Sequence, residues 1–189
     1  QYSMKPFKFK SQGLLQLICL WGIIFFGPMM YTAIITNGFP GILQLLIFAA
    51  YGFHQMGIIL LNTAEDYTED KASGLHTIIV HLGFHKAMNA AYKLVIIAGI
   101  CLQISMLAFI FTCQAPSFLY ASVMFFTFFW LFILKEYKRI IDNINRMNEE
   151  DAINEIKKNG MMVPRWLKIG AYSFLAVVLF YFIWNLNTN

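Results

Sequence analysis

The sequence predicts an all-α protein with five transmembrane helices, and three observations lead to this prediction. Of the 189 residues, 59% are hydrophobic and 13% are charged, which is unlike the composition of soluble domains. Five apolar runs are long enough, or nearly so, to cross a bilayer as helices, which takes about 20 residues. The basic residues collect in alternate connections between these runs. We treat residues 1–189 as a single membrane domain.

The predicted spans are separated by short polar connections and one long charged segment. They cover residues 14–36, 41–61, 94–113, 117–134 and 167–186. Within the long segment, residues 137–156 place apolar side chains at roughly helical spacing on a charged background. This pattern predicts one amphipathic helix that lies on the bilayer surface or on the loops between the spans.

The Lys and Arg residues predict the orientation of the spans. Of the 14, 13 lie before the first span, between the second and third, or between the fourth and fifth, and Lys168 lies just inside the fifth. The connections near 37–40 and 114–116 contain none. By the positive-inside rule, the N-terminus, the segment after the second span and residues 135–168 face the cytoplasm or an equivalent compartment. The net charge of +4 is therefore explained by basic residues that lie on one side of the membrane, and we expect no nucleic-acid partner.

An acidic segment follows the second span directly. Four of the chain's 10 acidic residues lie within six positions, at Glu65, Asp66, Glu69 and Asp70. On a helix, Asn62, Asp66 and Asp70 form one stripe, with Glu65 and Glu69 beside it, and Gly74 offers a natural helix end. Carboxylates four residues apart repel unless a cation lies between them, and Mg²⁺ suits oxygen ligands of this kind. The alternative is a solvated acidic loop, which is what most charge runs are.

The residues around the acidic segment resemble a known motif. They are similar to the second aspartate-rich motif of the UbiA superfamily of intramembrane prenyltransferases, and the matching positions are Asn62, Asp66, Asp70, Lys71, Gly74, Thr77 and Gly83. A second match to that family lies upstream, in its Tyr-Ser segment, at Tyr2, Ser3, Pro6, Lys8, Lys10 and Gly13. The resemblance covers essentially the whole chain and aligns its five spans with helices five to nine of a nine-helix bundle.

The resemblance implies an activity and a set of site residues. Members bind a prenyl diphosphate through Mg²⁺, let the diphosphate leave, and transfer the prenyl group to an aromatic or other lipophilic acceptor, as in quinone biosynthesis. Asp66 and Asp70 would then be the catalytic metal ligands, with Asn62 and Glu69 as further ligands. The expected diphosphate-binding residues are Lys8, Lys10 and Lys71, although each of these is equally well explained as an ordinary positive-inside lysine. The expected residues of the substrate cavity are Tyr2, His54 and Gln55, of which the last two are polar residues inside a span.

One part of the family's pattern is absent. The first aspartate motif does not occur in these 189 residues, and the acidic residues outside 65–70 lie at 136–155. We therefore expect an N-terminal half or a partner membrane chain to supply that motif, together with about four helices that cover His54 and Asn62. The alternative is a non-catalytic membrane subunit that acts as a scaffold or as a lipid- or quinone-binding element. Either form would be a multi-pass protein of a bacterial inner membrane or an organellar membrane. Glu65 stands where quinone-forming members often carry Arg, so the acceptor stays open.

Overall fold

The computed structural model describes residues 12–112, 118–160 and 163–165, and the regular structure in these ranges is helical. The first long helix comprises α1 (Leu14–Leu20), a π-helical turn (Trp21–Phe26) and α2 (Gly27–Asn37). The second comprises α3 (Ile42–Thr63), a 3₁₀ turn (Ala64–Asp66) and α4 (Tyr67–Ala72). The short α5 (Ile78–Leu82) leads into α6 (Phe84–Thr112), α7 (Phe118–Ile144) and α8 (Glu149–Asn159).

Three of these helices are long and apolar enough to cross a membrane within the part of the chain that the structure describes. They are Leu14–Thr36, Ile42–Ala72 and Phe84–Thr112, and they contain the first three predicted spans, apart from one residue at each of two ends. Most of the fourth predicted span, 117–134, falls in α7, and the fifth, 167–186, lies outside the described residues. The prediction of an all-helical integral membrane protein is confirmed, whereas the number of five spans stays a prediction.

The π-helical turn lies directly before a proline. Pro28 has no backbone N–H, and its ring displaces the carbonyl of the preceding helical turn. The wider turn at Trp21–Phe26 places the Gly27 N–H on the Gly22 carbonyl, five residues earlier. The first helix therefore continues past the proline with a local change of geometry, as is common where a ladder of hydrogen bonds is interrupted. The indole N–H of Trp21 donates to the Ala49 carbonyl at 3.3 Å, and this hydrogen bond links the first long helix to α3.

The core of the described structure lies where α3 packs against α6. Gly57 marks their closest approach, since a Cβ atom at this position would come within 2.9 Å of the Ala91 carbonyl oxygen. Ala91 and Val95 on α6 are fully buried in this contact. Small residues let helices approach in this way, and in lipid such packing replaces the hydrophobic driving force between spans. The contact holds one face of α3 against the body of the protein.

The segment 137–156 differs from its prediction as one helix. Its first part continues α7 to Ile144, and its second part is α8, with a break at residues 145–148. Asn148 begins α8, because its side-chain oxygen accepts a hydrogen bond from the backbone N–H of Asp151 at 2.9 Å. An Asn followed by acidic residues in the first turn is a standard helix start. The break folds α8 back against α7 and against the 3₁₀ turn that follows α3.

Candidate functional site

Polar side chains inside α3 carry the first part of the site. His54 is fully buried and Gln55 is 5% exposed. The ring of His54 meets that of Phe126 edge-on at a centroid distance of 5.7 Å. Neither ring nitrogen of His54, nor the amide nitrogen of Gln55, has a hydrogen-bond partner among the described residues. Burying such groups unpaired is costly, so an unmet polar atom here indicates a missing partner such as water or ligand.

The burial of His54 removes one reason for expecting further helices beside α3. The chain's own helices cover His54 and Gln55, whereas Asn62 is only half-buried. The sequence argument treated α3 as an isolated span, whereas α6 packs against it and Phe126 of α7 contacts the His54 ring. The ring nitrogens of His54 and the amide nitrogen of Gln55 still have no hydrogen-bond partner among the described residues. They are therefore available to bind a ligand or water.

Two more buried oxygens lie at the end of the same helix. The side-chain oxygen Oδ1 of Asn62 and the carboxylate oxygen Oε1 of Glu65 are buried, with no hydrogen-bond partner in the described part of the chain. An α-helix advances about 100° per residue, so positions 54 and 62 of α3 lie about 80° apart on one side of the helix, and Glu65 follows in the 3₁₀ turn. Polar groups therefore extend from the middle of α3 to the start of the acidic segment.

The 3₁₀ turn at Ala64–Asp66 changes the predicted arrangement of the carboxylates. A 3₁₀ residue turns the helix by about 120° instead of about 100°, so the four-residue spacing no longer keeps one stripe. Asn62 is half-buried, Asp66 is exposed and Asp70 is 5% exposed. Glu65 is half-buried, whereas Glu69 is exposed. The prediction of two intact stripes is therefore wrong, since residues of one predicted stripe differ in exposure and Asp70 is the most buried of the four carboxylates.

The metal prediction can be compared with these positions. Among the described residues, no three His, Cys, Asp or Glu side chains come together as a metal-binding group. The buried, unpaired oxygens of Asn62 and Glu65 are nevertheless of the type that Mg²⁺ takes. Because Mg²⁺ is typically held by one or two carboxylates together with water and substrate phosphates, an incomplete protein ligand set fits it. The oxygens of Asn62 and Glu65 therefore fit as part of a magnesium ligand set, and further oxygen ligands would be needed to complete it.

Several residues of the acidic motif have backbone roles. Gly74 has a φ of +68° and ends α4, with the Leu75 N–H on the Asp70 carbonyl at 2.9 Å and the Gly74 N–H on the Lys71 carbonyl at 3.2 Å. This is the Schellman arrangement, and the predicted helix end at Gly74 is confirmed. Thr77 begins α5 by accepting from the Val80 N–H at 3.4 Å. The recurrence of Gly and Thr in the motif therefore follows from chain geometry.

Lys71 is paired with a carboxylate of α8. Its ammonium group lies 3.2 Å from a carboxylate oxygen of Glu149, donates to the Tyr67 hydroxyl at 3.3 Å, and lies 5.2 Å from the centre of the Tyr67 ring. Both charged side chains are about half exposed, so the pair contributes little stability. Its effect is positional, since it places α8 beside the acidic segment. No local sequence pattern predicts this pair, because its members lie 78 positions apart.

The Lys71–Glu149 pair has a consequence for membrane topology. We expect cysteines introduced at Ser73 and Glu150 to react with a membrane-impermeant thiol reagent from one face, because both are exposed and lie close to the pair in sequence. A cysteine at Asn187 should react from the opposite face if the chain has five spans. The measurement uses a background in which Cys19, Cys101 and Cys113 are replaced by Ser. Labelling of positions 73 and 187 from the same face would contradict the five-span prediction.

The remaining predicted site residues, Tyr2, Lys8 and Lys10, lie outside the described residues. Of the others, Asn62 has a buried side-chain oxygen with no hydrogen-bond partner among the described residues, while Asp66 lies in the 3₁₀ turn and Asp70 in α4. Glu65 is the residue that sequence reasoning did not select. Its signal was its position eleven residues after His54, which is close to three turns of helix.

Comparison with known proteins adds one finding. The model of the UbiA prenyltransferase family matches residues 2–144. No curated protein and no solved structure matches the chain. The matched range includes α3, the acidic segment and α6, and it ends with α7.

Proposed function

Because the chain belongs to the UbiA prenyltransferase family, we propose that it binds a prenyl diphosphate through Mg²⁺ at the acidic segment and takes part in transferring the prenyl group to a lipophilic acceptor. The observation that carries the proposal is the pair of buried, unpaired oxygens on Asn62 and Glu65, directly before Asp66. Buried oxygen atoms without hydrogen-bond partners are energetically costly, and coordination of a cation would remove this cost.

Each residue of the site has a separate part in this function. Asn62, Glu65, Asp66 and Asp70 hold the metal, with Glu69 as an exposed further ligand. The bound metal supplies Lewis-acid stabilisation of charge on the departing diphosphate. Lys71, at the outer end of the acidic segment, adds fixed positive charge on the same side, and we assign Lys8 and Lys10 the same task. The ion pair with Glu149 orients the Lys71 side chain and partly neutralises its positive charge.

The acceptor is expected deeper in α3. His54 and Gln55 provide hydrogen-bonding atoms that have no partner among the described residues, and Phe126 lies against the His54 ring. A phenolic or other aromatic acceptor matches this combination, because its ring packs against an aromatic side chain while its hydroxyl reaches a polar one. We assign these residues, together with Tyr2, to the acceptor or prenyl-chain cavity.

The metal site needs carboxylates from elsewhere. The described residues contain no group of three metal-binding side chains, so a bound Mg²⁺ would need further oxygen ligands. We propose that an N-terminal half or a partner membrane chain carries the opposing aspartate motif. The complete assembly would then enclose the diphosphate between two acidic segments.

A second function is favoured by other observations. Gly74 and Thr77 have backbone roles that any member of the fold needs, and Lys71 is already paired with Glu149. A non-catalytic subunit that keeps the fold as a scaffold or quinone-binding element accounts for these features. It gives no reason for the buried, unpaired oxygens of Asn62 and Glu65.

Binding of a substrate analogue separates the two functions. The native assembly that contains the chain is purified into neutral nanodiscs and titrated with a prenyl thiolodiphosphate, which resists cleavage. We expect binding that requires Mg²⁺ and is reversed by EDTA, because a bound Mg²⁺ would be held jointly by carboxylates of the protein and phosphates of the ligand. Native membranes should at the same time catalyse Mg²⁺-dependent prenyl transfer to a phenolic acceptor. Failure to bind the analogue at any Mg²⁺ concentration would favour the non-catalytic subunit.

A further inference from the structure

The outward face of α7 carries a continuous stripe that the proposed function does not use. Its first part is apolar and exposed: Met124 is 73%, Phe128 55% and Leu131 55% exposed. These positions follow one another at intervals of four and three, so they lie on one face of the helix. In an integral membrane protein, an exposed apolar face of this kind contacts lipid chains.

The same stripe continues as a basic groove. Positions 135, 138 and 142 continue the spacing of four and three to the end of α7, with Arg139 beside them, and Arg146 follows in the break after Ile144. The groove has a volume of about 340 Å³ and is lined by Lys135, Lys138, Arg139, Asp142, Asn143 and Arg146. Four cationic side chains therefore face one carboxylate in the lining. Arg139 also pairs with Glu136 at 3.0 Å, which leaves the groove with a net positive charge.

The groove lies away from the acidic segment. The opposite face of α7 is buried, and there the Tyr137 hydroxyl donates to the Gly57 carbonyl on α3 at 2.9 Å. The indole N–H of Trp130 donates to the Val95 carbonyl on α6 at 3.4 Å from the same face. Since α7 turns this face towards α3 and α6, its basic face is directed away from the polar residues of α3. The groove is thus separate from the proposed prenyl diphosphate site.

We propose that this face of α7 binds an anionic phospholipid, with the phosphate headgroup in the basic groove and an acyl chain along Met124, Phe128 and Leu131. A soluble phosphate would use the groove alone and leave the apolar stripe unexplained. A phospholipid would occupy both parts of this face. The boundary between its charged headgroup and its acyl chain would lie between Leu131 and Lys135. Basic pockets at the ends of membrane helices are suited to such headgroups.

The test compares two charge-matched variants of the full chain in nanodiscs. Lys135→Gln/Lys138→Gln removes two cations from the groove. Lys86→Gln/Lys93→Gln removes two exposed cations from α6 that do not line it. We expect native mass spectrometry to show phosphatidylglycerol retained on the wild type and on the α6 variant. The groove variant should bind it roughly tenfold or more weakly, since each cation contributes about fivefold. Prenyl thiolodiphosphate binding should be the same in all three proteins.

Three outcomes would overturn the proposal. Equal loss in both variants would show general attraction to surface charge. Glycerol phosphate binding as tightly as the intact lipid would show that the groove takes a soluble phosphate without the apolar stripe. Loss of prenyl thiolodiphosphate binding in the groove variant, with phosphatidylglycerol retained, would assign the groove to the substrate. Failure of the proposed prenyl transfer in native membranes would leave the lipid result unaffected.

Discussion

Replacing Asp66 and Asp70 together with Asn is expected to lower prenyl transfer in the native assembly by at least about 10²–10³-fold. The two substitutions keep the shape of the side chains and remove both negative charges next to the unpaired oxygens of Asn62 and Glu65. Without these charges the site no longer concentrates Mg²⁺ where the departing diphosphate needs it. The measurement is initial rate against Mg²⁺ concentration at saturating prenyl diphosphate.

A matched control separates this effect from loss of folding or of general surface charge. Glu150→Gln removes an exposed carboxylate from the first turn of α8 and should leave the rate unchanged. Both proteins should elute from size-exclusion chromatography like the wild type. An unchanged rate in a folded Asp66→Asn/Asp70→Asn variant would refute the assignment of metal binding to these residues.

The sequence predicts the helical membrane character because composition and apolar length act over whole segments. It also predicts the end of α4, since Gly74 supplies a positive φ that other residues avoid. It does not predict the 3₁₀ turn at Ala64–Asp66, because the four-residue spacing argument assumes a uniform helix. Within this turn Asp66 is exposed, whereas one carboxylate oxygen of Glu65 is buried. Glu65, first read as a departure from the family, becomes a site residue for this reason.

Long-range contacts account for the other differences. The pairing of Lys71 with Glu149 depends on how α8 folds back, and no local pattern contains it. The burial of His54 and Gln55 likewise depends on α6 and α7, which pack beside α3 from later in the chain. The break before α8, by contrast, has a local signal. Asn148 followed by three acidic residues is a helix start, and apolar periodicity over 137–156 obscured it.

A larger side chain at Gly57 is expected to destabilise the whole described helix bundle. The Cβ atom of Gly57→Ala would lie 2.9 Å from the Ala91 carbonyl oxygen and 3.2 Å from the Val95 backbone nitrogen. Backbone atoms, unlike the end of a flexible side chain, cannot move aside by rotation, so α3 and α6 must separate. Overpacking of this degree lowers the free energy of unfolding by about 1–3 kcal/mol. Gly57→Val should cost more. Separation would also strain the hydrogen bond from Tyr137 to the Gly57 carbonyl.

The measurement is the thermal unfolding midpoint in detergent. Fluorescence-detection size-exclusion chromatography gives the folded fraction that remains after heating. We expect the midpoint to fall in the order wild type, Gly57→Ala, Gly57→Val. Gly22→Ala is the matched control, because no atom lies within 4 Å of the Cβ position that it creates in the first long helix. Its midpoint should not fall. Equal midpoints for Gly57→Ala and Gly22→Ala would contradict the close contact between α3 and α6. They would then also remove the reason for placing His54 in the interior, since this contact holds the polar face of α3 against the rest of the chain.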